Sequence, residues 1–546
     1  MSDLTRSAAQ LGLSEDDYVP YGDGVGKLRP KVAFLGSDAK LTGKLVLVSA
    51  INPTPAGEGK TTVSIGLADG LRARGVRALA ALRQPSLGPT LGSKGGGAGG
   101  GRARLEPFDR VNLGLTGDLY AVASAQNLLV SLADNALQFG TAPLDPRRIE
   151  VPRLIDLDDR VLRHVITGLG GHLDGLPREG RFDITAAGEV MAILCLARDY
   201  GDLKARLSRM RVGFTTTGNV VTAAELGAVG GMAVVLREAL LPNLVCTQDG
   251  TAALVHGGPF ANIAHGCSSA VATRFALSRA EVVVTEAGFG FDLGAEKFLD
   301  IKCRSAGVWP HALVLVATLK ALKMHGGVLH ADAGKPNLAA LRDGCSNLGH
   351  HLETAKAFGL TPVVALNLFP GDPADELRAV ESFVRERGVE SARVSVYTDG
   401  ARGGLALAEK VTAVLAVASA APPPKFLYAL DAPLRSKIER IAKTVYGASG
   451  IEVSAAAARD FEAAEASGMA HAPVCMAKTH LSLTADAKKG GKPQPHVLPI
   501  KAARVSAGAG FVVVLCGDIM TMPGLGKAPA VLGMDLTDAG EITGLK

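Results

Sequence analysis

Residues 54–62 read TPAGEGKTT and come directly after the apolar run LVLVSAI at residues 45–51. A buried strand that delivers a short glycine-containing turn to the start of a helix is typical of a phosphate-binding loop, because backbone N–H groups and the helix dipole then face an anion. Lys60 adds a positive charge, and the hydroxyl of Thr61 is placed to reach a magnesium ion. Thr54 stands where the pattern G-x-x-x-x-G-K-[ST] has its first glycine.

The residues after this loop support the same interpretation. Apolar residues recur at helical spacing over residues 63–74, and Gly75 is a stop signal. The alternative is an ordinary turn between strand and helix, but a lysine in the first turn of a helix opposes the helix dipole unless an anion binds there. The residues predicted to bind ATP phosphates are Thr54, Pro55, Ala56, Gly57, Glu58, Gly59, Lys60, Thr61 and Thr62.

Composition narrows the class of protein. The 546 residues are 47% hydrophobic and 20% charged and include 66 glycines, as in globular enzymes of two to four domains. A net charge of +5 without a long Lys/Arg block argues against nucleic-acid binding. The sequence has no secretory leader pattern and no apolar run of eighteen residues, so we expect a cytoplasmic protein without membrane contact. Seven scattered cysteines without a C-x-x-C pair indicate buried thiols rather than a disulfide framework or a zinc ribbon.

Short β-branched runs alternate with helical patterns along most of the chain. This alternation predicts an α/β fold with a mostly parallel sheet flanked by helices, built on the phosphate-binding loop. The proline-rich stretch 421–425 is the strongest boundary, and a weaker one lies near residue 358. We therefore predict a nucleotide-binding domain at 1–358 and two smaller α/β domains at 359–424 and 425–546. The runs that predict strands are residues 45–51, 76–82, 281–285, 312–317, 362–366, 394–396 and 511–515.

Polar or glycine-rich stretches follow several of these predicted strands. Ligands of parallel sheets collect at the carboxyl ends of the strands, so these stretches are candidate site segments. Residues 92–101 place Lys94 among seven glycines, close in sequence to the phosphate-binding loop. A flexible tether is one interpretation, but a backbone that approaches a ligand closely explains this composition better.

Four further stretches carry specific turn chemistry, and together with TPAGEGKTT they resemble the formate–tetrahydrofolate ligase family over nearly the whole chain. They are RQPSLGP at residues 83–89, HGGPFANIAHG at 256–266, TEAGFGFDLG at 285–294 and MTMPGL at 520–525. The resemblance implies that ATP phosphorylates formate to formyl phosphate, which the N10 amine of tetrahydrofolate then attacks. It also implies magnesium, small-molecule substrates, a response to monovalent cations and a homotetramer.

The same resemblance suggests roles for single residues. Lys60, Thr61 and magnesium would neutralise the transferring phosphoryl group, and Arg83 resembles an arginine that binds the formyl phosphate. His256 resembles a histidine near the acyl phosphate, although a structural hydrogen-bonding role fits it equally well. Glu286 and Asp292 would either hold magnesium or cap loops, with the structural role favoured for both, and His265 is assigned a structural role.

Two aromatic residues match the family's pterin-stacking pair. Phe369 follows the predicted strand 362–366, and Tyr397 precedes a glycine turn at a place where the family usually has Trp or Phe. A tyrosine ring can still stack on a pterin. Without the resemblance, either ring would be interpreted as core packing.

The chain departs from the family in one region. Gln84 replaces a glutamate, Gly114 and Tyr120 replace histidines, and Arg102 and Arg104 add positive charge. A neutral amide cannot serve as a general base. Because these changes cluster while the phosphate-binding loop is intact, two alternatives stay open: a ligase of the same fold that uses another carboxylate or amine, and a non-catalytic nucleotide- or folate-binding homologue. Arg102 and Arg104 face either the pocket or solvent. The residues predicted to contact substrate are Arg83, Gln84, Arg102, Gly114, Tyr120, Phe369 and Tyr397.

Overall fold

Strands and helices alternate along the chain in a computed structural model that describes residues 3–36, 39–55, 57–94, 96–418, 423–492 and 495–545. The strands are β1 (Tyr18–Gly22), β2 (Val25–Leu28), β3 (Lys44–Ala50), β4 (Ala78–Leu82), β5 (Gly99–Gly100), β6 (Ala103–Glu106), β7 (Leu144–Ile149), β8 (Arg153–Ile155), β9 (Val165–Thr167), β10 (Arg178–Gly180), β11 (Phe182–Ile184), β12 (Arg211–Thr215), β13 (Val220–Thr222), β14 (Asn243–Thr247), β15 (Ala252–Val255), β16 (Val282–Glu286), β17 (Ala312–Ala317), β18 (Pro362–Asn367), β19 (Glu390–Val394), β20 (Gly450–Val453), β21 (Val474–Ala477), β22 (Val497–Ile500), β23 (Ala502–Ser506), β24 (Phe511–Leu515), β25 (Asp535–Leu536) and β26 (Ile542–Thr543).

Some α-helices pack on the two faces of the largest sheet, and others belong to a separate apolar cluster or contact the carboxyl-terminal sheets. The α-helices are α1 (Asp3–Gln10), α2 (Pro30–Ala33), α3 (Lys60–Ala73), α4 (Leu87–Pro89), α5 (Phe108–Leu113), α6 (Asp118–Phe139), α7 (Glu189–Leu196), α8 (Tyr200–Ser208), α9 (Val229–Val235), α10 (Ala270–Arg279), α11 (Cys303–Ala306), α12 (Leu319–His325), α13 (Leu338–Ala357), α14 (Ala374–Arg385), α15 (Val396–Asp399), α16 (Ala401–Val417), α17 (Leu434–Val445) and α18 (Ala455–Ala464). No helix in the described ranges is long and apolar enough to cross a membrane.

The central sheet has a parallel core whose order is β15-β4-β16-β3-β17-β18-β19. Strand β3 lies in the middle of this core, and its side chains pack alternately on the two faces. Leu45 and Leu47 belong to the same apolar cluster as residues of α10 and α13, whereas Val46 and Val48 pack with residues of α3 and α16. Burial on both faces explains why this strand reads as a continuous apolar run. The predicted α/β fold with a parallel sheet is confirmed.

The predicted second domain, residues 359–424, does not form a sheet of its own. Its strands β18 and β19 extend the central sheet next to β17. The carboxyl-terminal part forms separate small sheets, in which β20 pairs with β22 and β24 lies between β21 and β23. Strand β24, which the sequence predicts as residues 511–515, therefore lies outside the central sheet. The division into three domains stays a prediction.

Close contact between α3 and α16 places the loop after β19 beside the phosphate-binding loop. A Cβ atom on Gly404 would lie 2.4 Å from the carbonyl oxygen of Gly66, and one on Gly66 would lie 2.3 Å from Cγ1 of Val396. Only glycine fits where two backbones approach this closely. The segment that carries Tyr397 is therefore held against the start of α3.

Candidate functional site

The phosphate-binding loop connects β3 to α3 and is fixed by one buried carboxylate. Glu58 is 3% exposed, and its side chain accepts a hydrogen bond from the Thr54 amide at 2.8 Å. Gly59 adopts a φ of +74° immediately before α3, a conformation that glycine reaches without strain. Asn367, at the end of β18, donates from Nδ2 to the carbonyl of Glu58 at 3.0 Å. Residue 56 lies outside the described part of the chain, so the predicted contact at Ala56 stays a prediction.

Lys60 and Thr61 open α3 and lie near two buried carboxylates, Glu58 of the same loop and Glu286 at the end of β16. Partial removal from water lowers the pKa of Lys60, while the carboxylates of Glu58 and Glu286 act in the opposite direction. The Thr61 hydroxyl donates to Oε2 of Glu286 at 2.8 Å. The Lys60 ammonium makes no ion pair with a described residue, so its charge is available to an incoming phosphate.

Glu286 is the residue that joins the phosphate-binding loop to Arg83. It ends β16, it is 2% exposed, and its Oε1 lies 3.4 Å from Nη2 of Arg83, which follows β4. Because β16 lies between β3 and β4, the carboxyl ends of all three strands meet at one edge. Nε of Arg83 is buried and has no hydrogen-bond partner in the described structure. Arg83 therefore has donor capacity left for an anionic ligand.

The glycine-rich segment brings a third cation towards this edge and supports Tyr397. Desolvation is the main cause that lowers the pKa of Lys94 to about 8, and the positive charges of Arg83 and Lys60 add to this effect. At the other end of the segment, a Cβ atom on Gly101 would lie 2.2 Å from the carbonyl of Tyr397. Residues 100 and 101 thus pack closely against Tyr397, while the predicted close approach of this segment to a ligand stays a prediction.

Asp292 is part of a buried structural network. Its carboxylate accepts a hydrogen bond from Asn52 at 3.0 Å and pairs with Lys478 at 2.8 Å, with both partners of the ion pair fully buried. Although burial opposes ionisation, the Lys478 ammonium holds the pKa of Asp292 below its usual value. Both carboxylate oxygens are directed to protein groups, which favours the structural interpretation over a metal ligand.

The two predicted histidines lie in the interior. Nδ1 of His256 is 2.7 Å from the Ser269 hydroxyl, and its Nε2 is 2.7 Å from the carbonyl of Ala239, so neither ring nitrogen is free for an acyl group. Burial lowers the pKa of His256 to about 4 and that of His265 to about 3. We assign His256 a structural role, because both of its nitrogens already serve as links between protein segments.

Stability is expected to fall as the pH drops from 7.5 to 5, and His256 should account for part of that loss. The unfolded chain protonates this ring near pH 6.5, whereas the folded protein resists protonation down to about pH 4. The unfolded state therefore binds more protons than the folded state in this pH range. Protonation of His256 in the unfolded chain should lower the free energy of unfolding at pH 5 by about 2 kcal/mol relative to pH 7.5. Urea unfolding of His256→Gln at both pH values should show a smaller pH dependence than wild type. The exposed residue His172 supplies the control, His172→Gln, and equal pH dependence in all three proteins would contradict the assignment.

The two predicted stacking rings follow neighbouring parallel strands. Phe369 comes two residues after β18, with the Lys320 ammonium 4.4 Å from its ring centre. Tyr397 comes three residues after β19 and is 59% exposed. A Cβ atom on Gly100 would lie 3.2 Å from the Tyr397 ring, so the glycine segment covers part of one face of the ring. An exposed ring with a covered face is available for stacking on its other face.

The cluster of residues that departs from the family separates into different environments. Gln84 is 2% exposed, and neither atom of its side-chain amide has a hydrogen-bond partner in the described structure. Arg104 pairs with Glu106 at 2.8 Å, so its charge is already engaged, whereas Arg102 and Tyr120 are exposed. Gly114 follows α5 with a φ of +132° and has open space around it. Of these residues, Gln84 is the one whose buried polar atoms lack partners.

Two residues near the site were not singled out from the sequence. Asn367 connects the end of β18 to the phosphate-binding loop, and its position after a predicted strand was the available signal. His480 stacks on Phe289 with ring centres 4.3 Å apart, and Phe289 has a positive φ of 58°. Desolvation and the nearby Lys478 charge lower the pKa of His480 to about 4, and the charges of Lys94 and Lys60 add to this effect. The carboxyl-terminal part of the chain thus reaches the same edge of the sheet.

Comparison with known proteins gives full-length similarity. Residues 1–546 match a family model described as formate–tetrahydrofolate ligase. The formate–tetrahydrofolate ligase of Myxococcus xanthus (strain DK1622) is 52% identical over 546 residues, which span 99% of this chain and 98% of that protein. The enzyme of the same name from Paracoccus denitrificans (strain Pd 1222) is 50% identical over 543 residues, which span 99% and 97%. That from Acidiphilium cryptum (strain JF-5) is 51% identical over 543 residues, which span 98% and 96%.

Proposed function

The chain belongs to the formate–tetrahydrofolate ligase family, and from that premise we propose that its reaction takes place where β3, β4 and β16 end. It is an ATP-dependent ligase that joins formate to tetrahydrofolate and yields 10-formyltetrahydrofolate. The observation that carries the placement is the meeting of Lys60, Thr61, Arg83 and Glu286 at this edge. These groups have the charge and donor chemistry that phosphoryl transfer requires.

The first step that we propose forms formyl phosphate. A carboxylate oxygen of formate attacks the γ-phosphorus of ATP, the bond from that phosphorus to the bridging oxygen breaks, and ADP leaves. Amides of the loop at residues 57–62 and the Lys60 ammonium face the phosphates, and Arg83 binds the oxygens of the acyl phosphate. Positioning and charge neutralisation supply most of the acceleration in such transfers.

The second step transfers the formyl group. The N10 amine of tetrahydrofolate attacks the formyl carbon, the bond from that carbon to the phosphate oxygen breaks, and the N10 proton goes to the departing phosphate. Neither His256 nor Gln84 is needed as a base in this sequence, since the leaving phosphate accepts the proton. This removes the difficulty that a neutral amide stands where the family has a carboxylate.

Magnesium fits the residues at the start of α3. The Thr61 hydroxyl and the Glu286 carboxylate meet at 2.8 Å and are the kinds of oxygen group that magnesium prefers. We propose that this pair would hold the ion, which would supply charge neutralisation for the transferring phosphoryl group. No group of three or more His, Cys, Asp or Glu residues in the described ranges is arranged to bind a metal, so the proposed site would rely on the Thr61 hydroxyl, the Glu286 carboxylate and the oxygens of ATP.

Phe369 and Tyr397 are proposed to stack on the pterin. They follow adjacent strands, and Asn367 connects the strand of Phe369 to the Glu58 carbonyl of the phosphate-binding loop. This link supports a pterin position beside the site of acyl transfer. The cytoplasmic location, the tetramer and the response to monovalent cations stay predictions.

One assay tests the proposed function. ADP release should require formate and tetrahydrofolate together, and the product should be 10-formyltetrahydrofolate. Phe369→Leu removes the ring, so it should raise KM for tetrahydrofolate about tenfold and leave KM for ATP near the wild-type value. ADP release that responds only to another acid or amine from a panel of small carboxylates and amines would overturn the substrate assignment, and an unchanged KM would overturn the placement of the pterin.

A further inference from the structure

A cavity lies outside the proposed catalytic site. It has a volume of about 600 Å³ and opens between β7, β12 and the sheet formed by β23 and β24. An adjoining cavity of about 560 Å³ shares Arg147, Arg181 and Arg504 as wall residues. None of the residues proposed to bind phosphate or pterin lines either cavity. Cavities of this size accommodate small organic ligands.

Several arginines on the cavity wall lack an acidic partner or have only a distant one. The Arg504 guanidinium makes no hydrogen bond or ion pair with another described residue; desolvation and the nearby Arg181 charge lower the pKa of Arg504, and the charges of Asp183, Glu150 and Asp460 oppose that shift. Arg148 stacks on Phe214 at 4.2 Å and forms no ion pair within the described ranges. Arg181 lies 3.7 Å from Asp183, beyond hydrogen-bond distance, and uses one of its donors on the Glu150 carbonyl at 3.0 Å. These guanidinium groups therefore retain donors for an anion.

The carboxylates of the same wall are committed to protein groups. Glu189 accepts hydrogen bonds from the amides of Gly508 and Ala509, at 2.8 and 3.3 Å. Asp460 accepts from the Ala503 amide at 2.8 Å, and Asp183 accepts from the Thr521 hydroxyl at 2.6 Å. Glu150 on the same wall pairs with Arg211 at 3.5 Å, whereas Arg148 and Arg504 form no ion pair with a described residue. This imbalance favours a ligand with several anionic oxygens.

Apolar side chains form another part of the wall. They include Ile149, Val151, Ile263, Phe511 and Val513. This mixed wall suits a ligand with an apolar part and an anionic end. The apolar part would pack on the apolar side chains, and the guanidinium groups would bind the charged oxygens.

We propose that this cavity binds a small organic anion that carries a phosphate ester or two carboxylates, with Arg148, Arg181 and Arg504 on its charged oxygens. Both ligand classes present several anionic oxygens to the arginines. Two aromatic probes, one with a phosphate ester and one with two carboxylates, distinguish the classes. The proposal does not depend on the ligase activity, since the cavity has no residue in common with the catalytic site.

Isothermal titration calorimetry of the full chain tests this site. The protein is saturated with ADP, so that the phosphate-binding loop is occupied, and is then titrated separately with phenyl phosphate and with isophthalate. We expect one equivalent of at least one probe to bind, with the tighter probe identifying the ligand class. Arg504→Gln and Arg148→Gln should each weaken binding at least about tenfold, because each removes a charged contact.

The control is Arg435→Gln, which removes an exposed arginine on α17 that lines neither cavity. It should bind the probes as wild type does, and all three variants should keep wild-type ligase activity. Two results would overturn the proposal: binding of neither probe by the wild type, or equal binding by Arg504→Gln, Arg148→Gln and wild type. A change of assembly mass in Arg504→Gln, measured by analytical ultracentrifugation, would also overturn it, since the arginines would then serve a subunit contact.

Discussion

Lys60→Ala should lower kcat/KM for the ATP-dependent ligation about 10³-fold, the largest effect expected of any substitution in this protein. The ammonium lies within the electrostatic reach of Glu58, Glu286 and Arg83 at the start of α3. Its loss leaves two carboxylates without that counter-charge where a phosphate group must bind. The substitution therefore removes the attraction between Lys60 and the phosphate and leaves the repulsion between the two carboxylates and the phosphate.

Steady-state kinetics of ADP release at saturating formate and tetrahydrofolate measures this effect. Lys204→Ala is the matched control, because it removes an exposed lysine from α8 that makes no ion pair with a described residue. Lys60→Arg keeps the charge but changes its geometry, so it should fall between wild type and Lys60→Ala. Retention of more than about a tenth of the wild-type activity by Lys60→Ala would place the phosphate site elsewhere.

The parts of the site that lie close together in sequence were predictable. The apolar run before TPAGEGKTT predicts a buried strand, and β3 is buried on both faces. The start of α3 was also predictable, because the pattern of glycines and a lysine in the preceding loop has a local physical cause. Strand ends at residues 286 and 367 were also predicted within one residue.

The parts that depend on strand order were not predictable in the same way. Glu286 reaches Thr61 and Arg83 only because β16 lies between β3 and β4, an order that differs from the order along the chain. Asn367 likewise reaches the Glu58 carbonyl from a strand three hundred residues further along the sequence. Sequence patterns identify each strand, but they do not state which strands are neighbours.

His256 shows a different limit of sequence analysis. Its motif lies at the end of β15, and Leu82 at the end of β4 accepts the hydrogen bond from its backbone amide. The backbone is thus at the expected edge of the sheet while the imidazole points into the interior, between Ser269 and Ala239. A motif gives the position of a residue along a strand, whereas tertiary packing decides which way its side chain points.

Glu286→Gln is expected to reduce kcat about 10²-fold and to raise the magnesium concentration needed for half-maximal activity. The amide keeps the volume of the carboxylate and can still accept the Thr61 hydrogen bond, but it carries no charge for Arg83 or for a cation. Since Glu286 is 2% exposed, water cannot replace the missing charge. The predicted signature is a shift in the magnesium dependence, which a purely structural role for Glu286 would not produce.

Glu281→Gln provides the matched control at the opposite end of the same strand. Glu281 comes just before β16 and pairs with the exposed Arg77 at 3.0 Å, at the edge away from the site. Its substitution should leave kcat and the magnesium dependence unchanged, because an exposed ion pair contributes little. A magnesium titration of both variants separates the possibilities. If Glu286→Gln loses activity while its half-maximal magnesium concentration matches that of wild type, Glu286 acts on Arg83 and the loop rather than on the metal, and the proposed magnesium site is wrong.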